Sequence, residues 1–152
     1  MKYLICILIL IKPLTGFTQS LNHYTFEEID SLQQAETRPV VIFTHTDWCK
    51  YCQNMKNTTL QNEQIIKTLN EQFYFVDLNG EEKRAITFQK RTFQYKPSGN
   101  HTGVHELAEA LGTMNGTLSY PAVCILNRDH EIIFQYNAFL NAKTLQQILD
   151  AI

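Results

Sequence analysis

Two cysteines three residues apart, Cys49 and Cys52, are the residues of this chain best suited to chemistry. They stand in the segment Trp48-Cys49-Lys50-Tyr51-Cys52, after a short apolar run and at the predicted start of a helix. Two cysteines on the first turn of a helix can close a disulfide, and the unpaired N–H groups and dipole there favour an anion. We therefore expect Cys49 to be the exposed nucleophile with the lower pKa. We expect Cys52, one turn deeper, to be the resolving thiol.

Two basic side chains near the pair would favour its thiolate form. Lys50 lies between the cysteines and carries a positive charge. His45 precedes Cys49 by four residues, and an imidazolium there would stabilise a thiolate. A surface histidine without a role is the alternative for His45.

Three uses of the cysteine pair remain open: metal binding, an inert structural disulfide and redox exchange. A structural zinc needs four ligands, and the chain has no second Cys-x-x-Cys pair. His101 and His105 are four residues apart, but Gly103 lies between them and argues against a helical ligand pair. We predict redox exchange, with no metal and no bound cofactor, because a dithiol itself carries the electrons.

A third cysteine, Cys124, lies in an apolar run three residues after Pro121. In that setting a cysteine is more often a small buried hydrophobe than a redox partner. We expect Cys124 to be buried and inactive.

The elements that must position the pair follow from the hydrophobic pattern. Thr25 and Glu28 form a predicted capping box that opens the first helix. The continuous apolar run at 40–43 suits a strand that is buried on both faces. Helices are predicted over 26–34, 49–57, 62–70, 104–111 and after a cap at Asn141, and strands over 40–43, 73–76, 122–126 and 131–134. The last two strands, joined by a polar turn, predict an antiparallel hairpin.

Length and charge limit the class of protein. The chain has 152 residues, of which 44% are hydrophobic and 18% charged, which suits one domain with a real core. It carries 13 Lys and Arg against 15 Asp and Glu, a formal charge of −2, without a basic run. This balance argues against binding nucleic acid through its phosphates.

The N-terminal segment predicts export. One lysine, Lys2, precedes an apolar run over 3–11, and small or polar residues follow. The run is about half the length needed to cross a bilayer as a helix. We therefore predict a signal peptide at 1–19, a domain at 20–152, a periplasmic or secreted location, and no stable membrane span after cleavage.

The order strand, Trp-Cys-x-x-Cys, helix, strand, Tyr120-Pro121, hairpin and final amphipathic helix resembles the thioredoxin superfamily, from about Phe26 to Ile152. The resemblance implies an α/β thioredoxin-like fold, a central mixed β-sheet flanked by helices. An insertion at 78–119 would separate the β-α-β half from the C-terminal β-hairpin. It also implies a cis bond between Tyr120 and Pro121, whose backbone lays an extended substrate across the cysteines.

More narrowly, the predicted export signal, the insertion and two short segments resemble envelope (periplasmic) thioredoxin-like proteins of Gram-negative bacteria. The segments are Val104-His105-Glu106-Leu107-Ala108 and Ser119-Tyr120-Pro121. The resemblance implies catalytic Cys49 and Cys52. It implies site-shaping roles for Trp48, Lys50, Tyr51, Tyr120 and Pro121.

The implied activity is thiol–disulfide exchange with cysteine-containing envelope proteins, and the Trp48 context favours the reducing direction. A redox partner would supply or remove the electrons. Two alternatives stay open: a thioredoxin-scaffold binding module with a structural disulfide, and a metal (copper)-handling protein.

One position departs from the thioredoxin pattern. Thioredoxins carry a buried acid six residues before the first cysteine, where it helps to move the proton of the resolving thiol, and this chain has Phe43 there. We therefore expect proton transfer from Cys52 to use water or another group, or to be slow.

Overall fold

The computed structural model describes residues 19–152. The predicted signal peptide at 1–19 lies outside the described residues, apart from its last position.

The described chain alternates helices and strands before and after a stretch of short hairpins. In chain order the elements are α1 (Phe26–Ala35), β1 (Val40–His45), α2 (Lys50–Asn57), a 3₁₀ turn (Thr59–Gln61), α3 (Glu63–Gln72), β2 (Tyr74–Asn79), β3 (Ile86–Phe88), β4 (Arg91–Phe93), β5 (Tyr95–Gly99), β6 (Thr102–His105), α4 (Glu106–Gly112), β7 (Thr113–Met114), β8 (Thr117–Leu118), β9 (Ala122–Leu126), β10 (Ile132–Tyr136) and α5 (Ala142–Leu149).

A four-stranded sheet forms the centre of the molecule, in the order β10-β9-β1-β2. The β1 and β2 strands are parallel, while β9 runs antiparallel to both β1 and β10. All six residues of β1 are buried. The predicted mixed sheet and thioredoxin-like α/β fold are confirmed.

Each face of the sheet supports its own apolar core. Alternate residues of a strand point to opposite faces, so Val41 and Phe43 face one core while Val40 and Ile42 face the other. The first core includes both cysteines of the pair and apolar residues of α2, α3 and α5. The second packs α1, α4 and part of the hairpin stretch against the sheet. The cysteine pair therefore lies on the α2 side of the sheet.

The stretch between β2 and β9 consists of three two-stranded hairpins and α4. Its attachment to the sheet passes through Gly80, whose N–H donates to the carbonyl of His45 at 2.7 Å. The carbonyl of Gly80 in turn accepts from the N–H of His105 at 2.8 Å. Because β2 runs to Asn79, the first two residues of the predicted insertion at 78–119 belong to the central sheet.

Several element boundaries differ from the sequence prediction, among them those of α4 and α5. The helix predicted over 104–111 begins at Glu106, because Val104 pairs with Lys96 in the hairpin of β5 and β6. His105 caps that helix, its Nδ1 accepting from the N–H of Leu107. The last helix ends at Leu149, so Ile152, which shares the apolar spacing of Leu145 and Leu149, lies beyond it and is 46% exposed.

None of the helices within residues 19–152 is long and apolar enough to span a bilayer.

Candidate active site

Cys49 and Cys52 form a disulfide at the N-terminus of α2, with an S–S distance of 2.02 Å. The helix begins at Lys50 rather than at Cys49 as predicted, and Cys49 is its N-cap. Cys49 Sγ accepts a hydrogen bond from the backbone N–H of Cys52 at 3.1 Å. A sulfur at an N-cap faces N–H groups that have no partner inside the helix. The position therefore favours a negative charge on Cys49 when the bond is reduced.

The exposed fractions of Cys49 and Cys52 differ less than we expected. Cys49 is 6% exposed and Cys52 is fully buried, so the predicted order is correct, but the prediction of an openly exposed Cys49 is wrong for the oxidised form. The cause is packing, because both cysteines belong to the apolar core on the α2 side. Next to them Trp48 and Tyr51 are 67% and 69% exposed. These two rings form a prominent apolar surface around the small exposed part of Cys49.

Trp48 is held by a residue of the loop after β2. Its Nε1–H donates to Glu81 Oε1 at 3.1 Å. Its ring also meets the ring of Tyr120 edge to face, with centroids 6.0 Å apart. Lys50, the first residue of α2, is exposed and forms no hydrogen bond or ion pair within residues 19–152. The structure thus brings Trp48 and Tyr120 together and leaves Lys50 free to meet a partner.

Tyr120 and Pro121 lie beside this surface, and the bond between them is cis. Pro121 is buried, and Tyr120 is partly buried against Gly80. A Cβ added to Gly80 would lie 2.7 Å from two ring carbons of Tyr120, so the ring occupies space that only glycine leaves open. Burial, reinforced by the negative charges of Glu81 and Glu109, raises the pKa of Tyr120 to about 12. The phenol therefore stays neutral.

A polar cluster lies on the same side of the sheet, below α2. Lys56 Nζ is 2.9 Å from Asp77 Oδ2 and 3.0 Å from His45 Nε2. Asp77 Oδ1 is 2.9 Å from His45 Nε2. Burial alone would raise the pKa of the Asp77 carboxyl, but His45 and Lys56 outweigh it and lower that pKa. Asp77 is therefore a carboxylate. His45 is not the surface histidine of our alternative, because it is 7% exposed.

Cys124 is separated from the disulfide by the sheet. It belongs to the core on the opposite face and is 1% exposed. Burial raises the pKa of its thiol to about 12, so the thiolate, which is the reactive form, is scarce. This placement agrees with the prediction of a buried, inactive cysteine.

Within residues 19–152, no three His, Cys, Asp or Glu side chains cluster in a way that could hold a metal ion.

Sequence reasoning missed four residues of this region: Lys56, Asp77, Gly80 and Glu81. Asp77 gave a signal, because it interrupts an otherwise apolar run. Lys56 also gave one, since it follows Cys52 by four residues and so shares its helix face. Glu81 and Gly80 gave none, because their contacts with Trp48 and Tyr120 depend on how β2 is placed in the sheet.

Comparisons with known proteins agree with this geometry. A family model described as a thioredoxin-like domain matches residues 26–152. The curated proteins include no match.

Solved structures share the fold at low sequence identity. A DsbH oxidoreductase superposes with a TM-score of 0.61 at 14% identity, covering 93% of this chain and 91% of that one. A thioredoxin from Thermus thermophilus gives 0.60 at 18% identity, with 87% and 86% covered. The reduced C-terminal domain of DsbD from Neisseria meningitidis gives 0.53 at 17% identity, with 82% and 90% covered.

The match over 26–152, the mixed sheet and the Cys-x-x-Cys disulfide at the start of α2 lead to one conclusion. The chain belongs to the thioredoxin-like family and is a thiol–disulfide oxidoreductase of that fold.

Proposed function

We propose that this protein is an exported oxidoreductase that reduces disulfides in cysteine-containing envelope proteins, with Cys49 as the attacking and Cys52 as the resolving residue. The observation that carries the proposal is the placement of the pair. Cys49 caps α2 and retains some exposure, while Cys52 lies one turn deeper and is fully buried. A nucleophile at a helix N-terminus with a shielded thiol behind it suits two successive exchange steps.

The exchange consists of two displacements on sulfur. The Cys49 thiolate attacks a substrate disulfide, which breaks, and one substrate sulfur leaves as a thiolate while a mixed disulfide forms. Cys52 loses its proton and attacks Cys49 Sγ, so the mixed disulfide breaks and the second substrate sulfur leaves. Two electrons pass to the substrate, its two sulfurs take up protons, and the Cys49–Cys52 bond is restored. A redox partner must then reduce that bond again.

The surface around Cys49 supports a polypeptide substrate rather than a small one. Trp48 precedes Cys49 and Tyr51 precedes Cys52, both rings are largely exposed, and the ring of Tyr120 contacts that of Trp48. Exposed aromatic residues of this kind provide contact area for a partner at a small entropic cost. Lys50 adds a free positive charge to the surface.

The location and the partners are inferred from two sources. The N-terminal sequence at 1–19 has the pattern of a signal peptide. Several structures of similar fold carry Dsb names, among them a DsbH oxidoreductase and a DsbD C-terminal domain. Both sources agree with exchange of disulfides in proteins outside the cytoplasm, where cysteine pairs meet oxidants.

The test is to trap substrates. Cys52→Ser keeps the nucleophile but cannot resolve the mixed disulfide, so envelope proteins should remain bound to it through a bond that dithiothreitol breaks. Mass spectrometry then identifies them. Cys49→Ser is the matched control and should trap nothing.

The double variant, with both cysteines replaced by serine, separates the alternatives. Loss of biological activity supports exchange, whereas full activity would establish the binding module and contradict our proposal. Copper binding that persists when Cys49 is blocked would favour the metal-handling alternative.

The direction of exchange has its own measurement. Equilibration of the pair with glutathione gives its potential, and a reductase should lie near thioredoxin, about −270 mV. A potential near −120 mV, as in a strong oxidant, would contradict the reducing direction.

A further inference from the structure

The cluster of His45, Lys56 and Asp77, called the His45 cluster below, is a group of buried polar side chains in an otherwise apolar region. The His45 side chain is 9% exposed, and those of Lys56 and Asp77 are 25% exposed. All three are within 3.0 Å of one another through Nε2, Nζ and the carboxylate oxygens. Polar groups are costly to bury, so a cluster in this position needs a reason.

The His45 cluster lies close to the resolving thiol. Lys56 follows Cys52 by four residues on α2, and residues at that spacing are neighbours on one helix face. The ring of His45 stacks on Phe43, with centroids 5.8 Å apart and planes 16° apart. Phe43 belongs to the same core as Cys49 and Cys52. The cluster is therefore joined to the helix face of Cys52 through Lys56, and to the core around the disulfide through Phe43.

The carboxylate of the cluster is displaced by one strand from the position where thioredoxins carry their buried acid. That position is Phe43 in this chain, and Phe43 pairs with Asp77 in the register of β1 and β2. Lys56 contacts both, lying 5.8 Å from the centre of the Phe43 ring and 2.9 Å from Asp77 Oδ2. Asp77 thus faces the α2 side of the sheet, as Phe43 does.

One ring nitrogen of His45 in this cluster is available to accept a proton. His45 Nδ1 is buried and has no hydrogen-bond partner within the described residues, whereas Nε2 lies within 3.0 Å of both Lys56 Nζ and Asp77 Oδ1. A neutral imidazole has one N–H group and an imidazolium has two. When the hydrogen of the neutral ring is on Nε2, which faces Asp77 Oδ1 at 2.9 Å, Nδ1 is the nitrogen left to accept a proton.

We propose that the His45 cluster replaces the missing acid at Phe43, and that His45 holds the proton that Cys52 releases during resolution. The inference rests on the proposed function. In this step the Cys52 S–H bond breaks, its electron pair stays on sulfur, and the proton passes to the imidazole through a bridging water. The Cys52 thiolate then attacks Cys49 Sγ, and the departing substrate sulfur takes the proton back.

Two side chains of opposite charge face His45. Lys56 on α2 and Asp77 on β2 face it, while Val123 and Ala122, opposite Phe43 and Thr44 on β9, carry no charge. The nearest acid of the following loop, Asp47, is exposed and faces Asn79. The lowered pKa of Asp77 keeps it ionised at neutral pH.

The test uses reduced protein in a Cys124→Ala background, mixed with the coloured aromatic disulfide dithionitrobenzoate. Attack by Cys49 releases one coloured thiolate, and resolution by Cys52 releases a second, so the two steps are recorded separately over a range of pH. We compare His45→Gln and Asp77→Asn with His130→Gln. His130 is a matched control, because it lies in the turn between β9 and β10.

We expect His45→Gln to slow the second release about 100-fold near neutral pH and to move its pH profile to more alkaline values. The first release should keep its rate. Asp77→Asn should slow the second release by about tenfold through weaker support of the imidazolium, and His130→Gln should match the parent protein.

The inference is overturned if the second release is unchanged in both His45→Gln and Asp77→Asn at every pH. Should His45→Gln fail to fold, Asp77→Asn decides alone. A parent protein that gives no second release contradicts the proposed function itself, which keeps the two failures distinct.

Discussion

At the scale of single residues, the structure separates three cysteines into two chemical classes by their environment. Cys49 caps a helix, Cys52 lies behind it, and Cys124 is on the opposite face of the sheet. Sequence alone predicted this division, because the Cys-x-x-Cys spacing and the apolar run around Cys124 are local patterns.

Cys124 should therefore not react with thiol reagents in the folded protein. After reduction, iodoacetamide should label Cys49 in native protein and reach Cys124 only in denaturant, because burial raises the pKa of the Cys124 thiol to about 12. Mass spectrometry of the labelled peptides measures this. Labelling of native Cys124 at the rate of Cys49 would show that our placement is wrong.

The ionisation of Asp77 should make the free energy of unfolding depend on pH in the acid range. Its pKa is lower in the folded chain than its ordinary value of 3.8, so its contribution is complete above that pH and is lost as pH falls through the folded pKa. The free energy of unfolding should therefore fall more steeply below pH 3.8 in the wild type than in Asp77→Asn. At neutral pH that variant should lose about 2 kcal/mol, because Lys56 loses its charged partner.

Urea unfolding at several pH values measures both effects, with Asp129→Asn as the matched control in an exposed turn. Identical acid dependence in wild type and Asp77→Asn would exclude the stabilising ion contacts that we describe.

At the scale of elements, local signals predicted what depends on neighbours in sequence. The capping box at Thr25 is present, with Glu28 N–H donating to Thr25 Oγ1 and Thr25 N–H donating to Glu28. Asn62 caps α3 by accepting from Gln64 and Ile65. Such caps are visible in sequence because they join residues within one turn.

Pairings between distant segments were not predictable in the same way. The residues from Val104 onward have the hydrophobic pattern of a helix. Val104 nevertheless pairs with Lys96 of β5 and so belongs to a strand. The His45 cluster depends on the register that places Phe43 beside Asp77, which no local pattern contains. The sequence showed that an acid was missing at Phe43, and only the sheet shows where another one lies.

Gly80 connects the insertion to the site and offers an element-scale prediction. Gly80→Ala would press a Cβ into the ring of Tyr120, which contacts Trp48, and so would disturb the surface beside the cysteines. We expect the rate of reduction of a protein disulfide to fall about tenfold, while dithionitrobenzoate, which needs no extended surface, reacts normally.

Gly99→Ala is the control for Gly80→Ala. It lies in the hairpin of β5 and β6, where an added Cβ would meet only a hydroxyl oxygen of Thr102. Equal losses in the two variants, or an equal loss with both substrates, would mean that the Gly80–Tyr120 contact does not shape the substrate surface.

At the scale of the whole molecule, two parts of the fold have different roles: the sheet with α2 positions the disulfide, and the stretch between β2 and β9 shapes the surface beside it. The sheet and α2 hold the disulfide. The stretch from Gly80 to Ser119 contributes two contacts to the site. Glu81 accepts a hydrogen bond from Trp48, and the ring of Tyr120 packs against Gly80. Partner choice should therefore reside in this stretch, while exchange itself should depend on the cysteine pair.

The most direct test of that division is the reduction of a protein disulfide, such as those of insulin, by this protein with dithiothreitol as electron donor. The turbidity of the released chains measures the rate. Our account predicts a clear acceleration over dithiothreitol alone that Cys49→Ser abolishes and Cys124→Ala leaves intact. No acceleration by the wild type, or an acceleration that survives Cys49→Ser, would contradict the claim that this disulfide exchanges with other proteins.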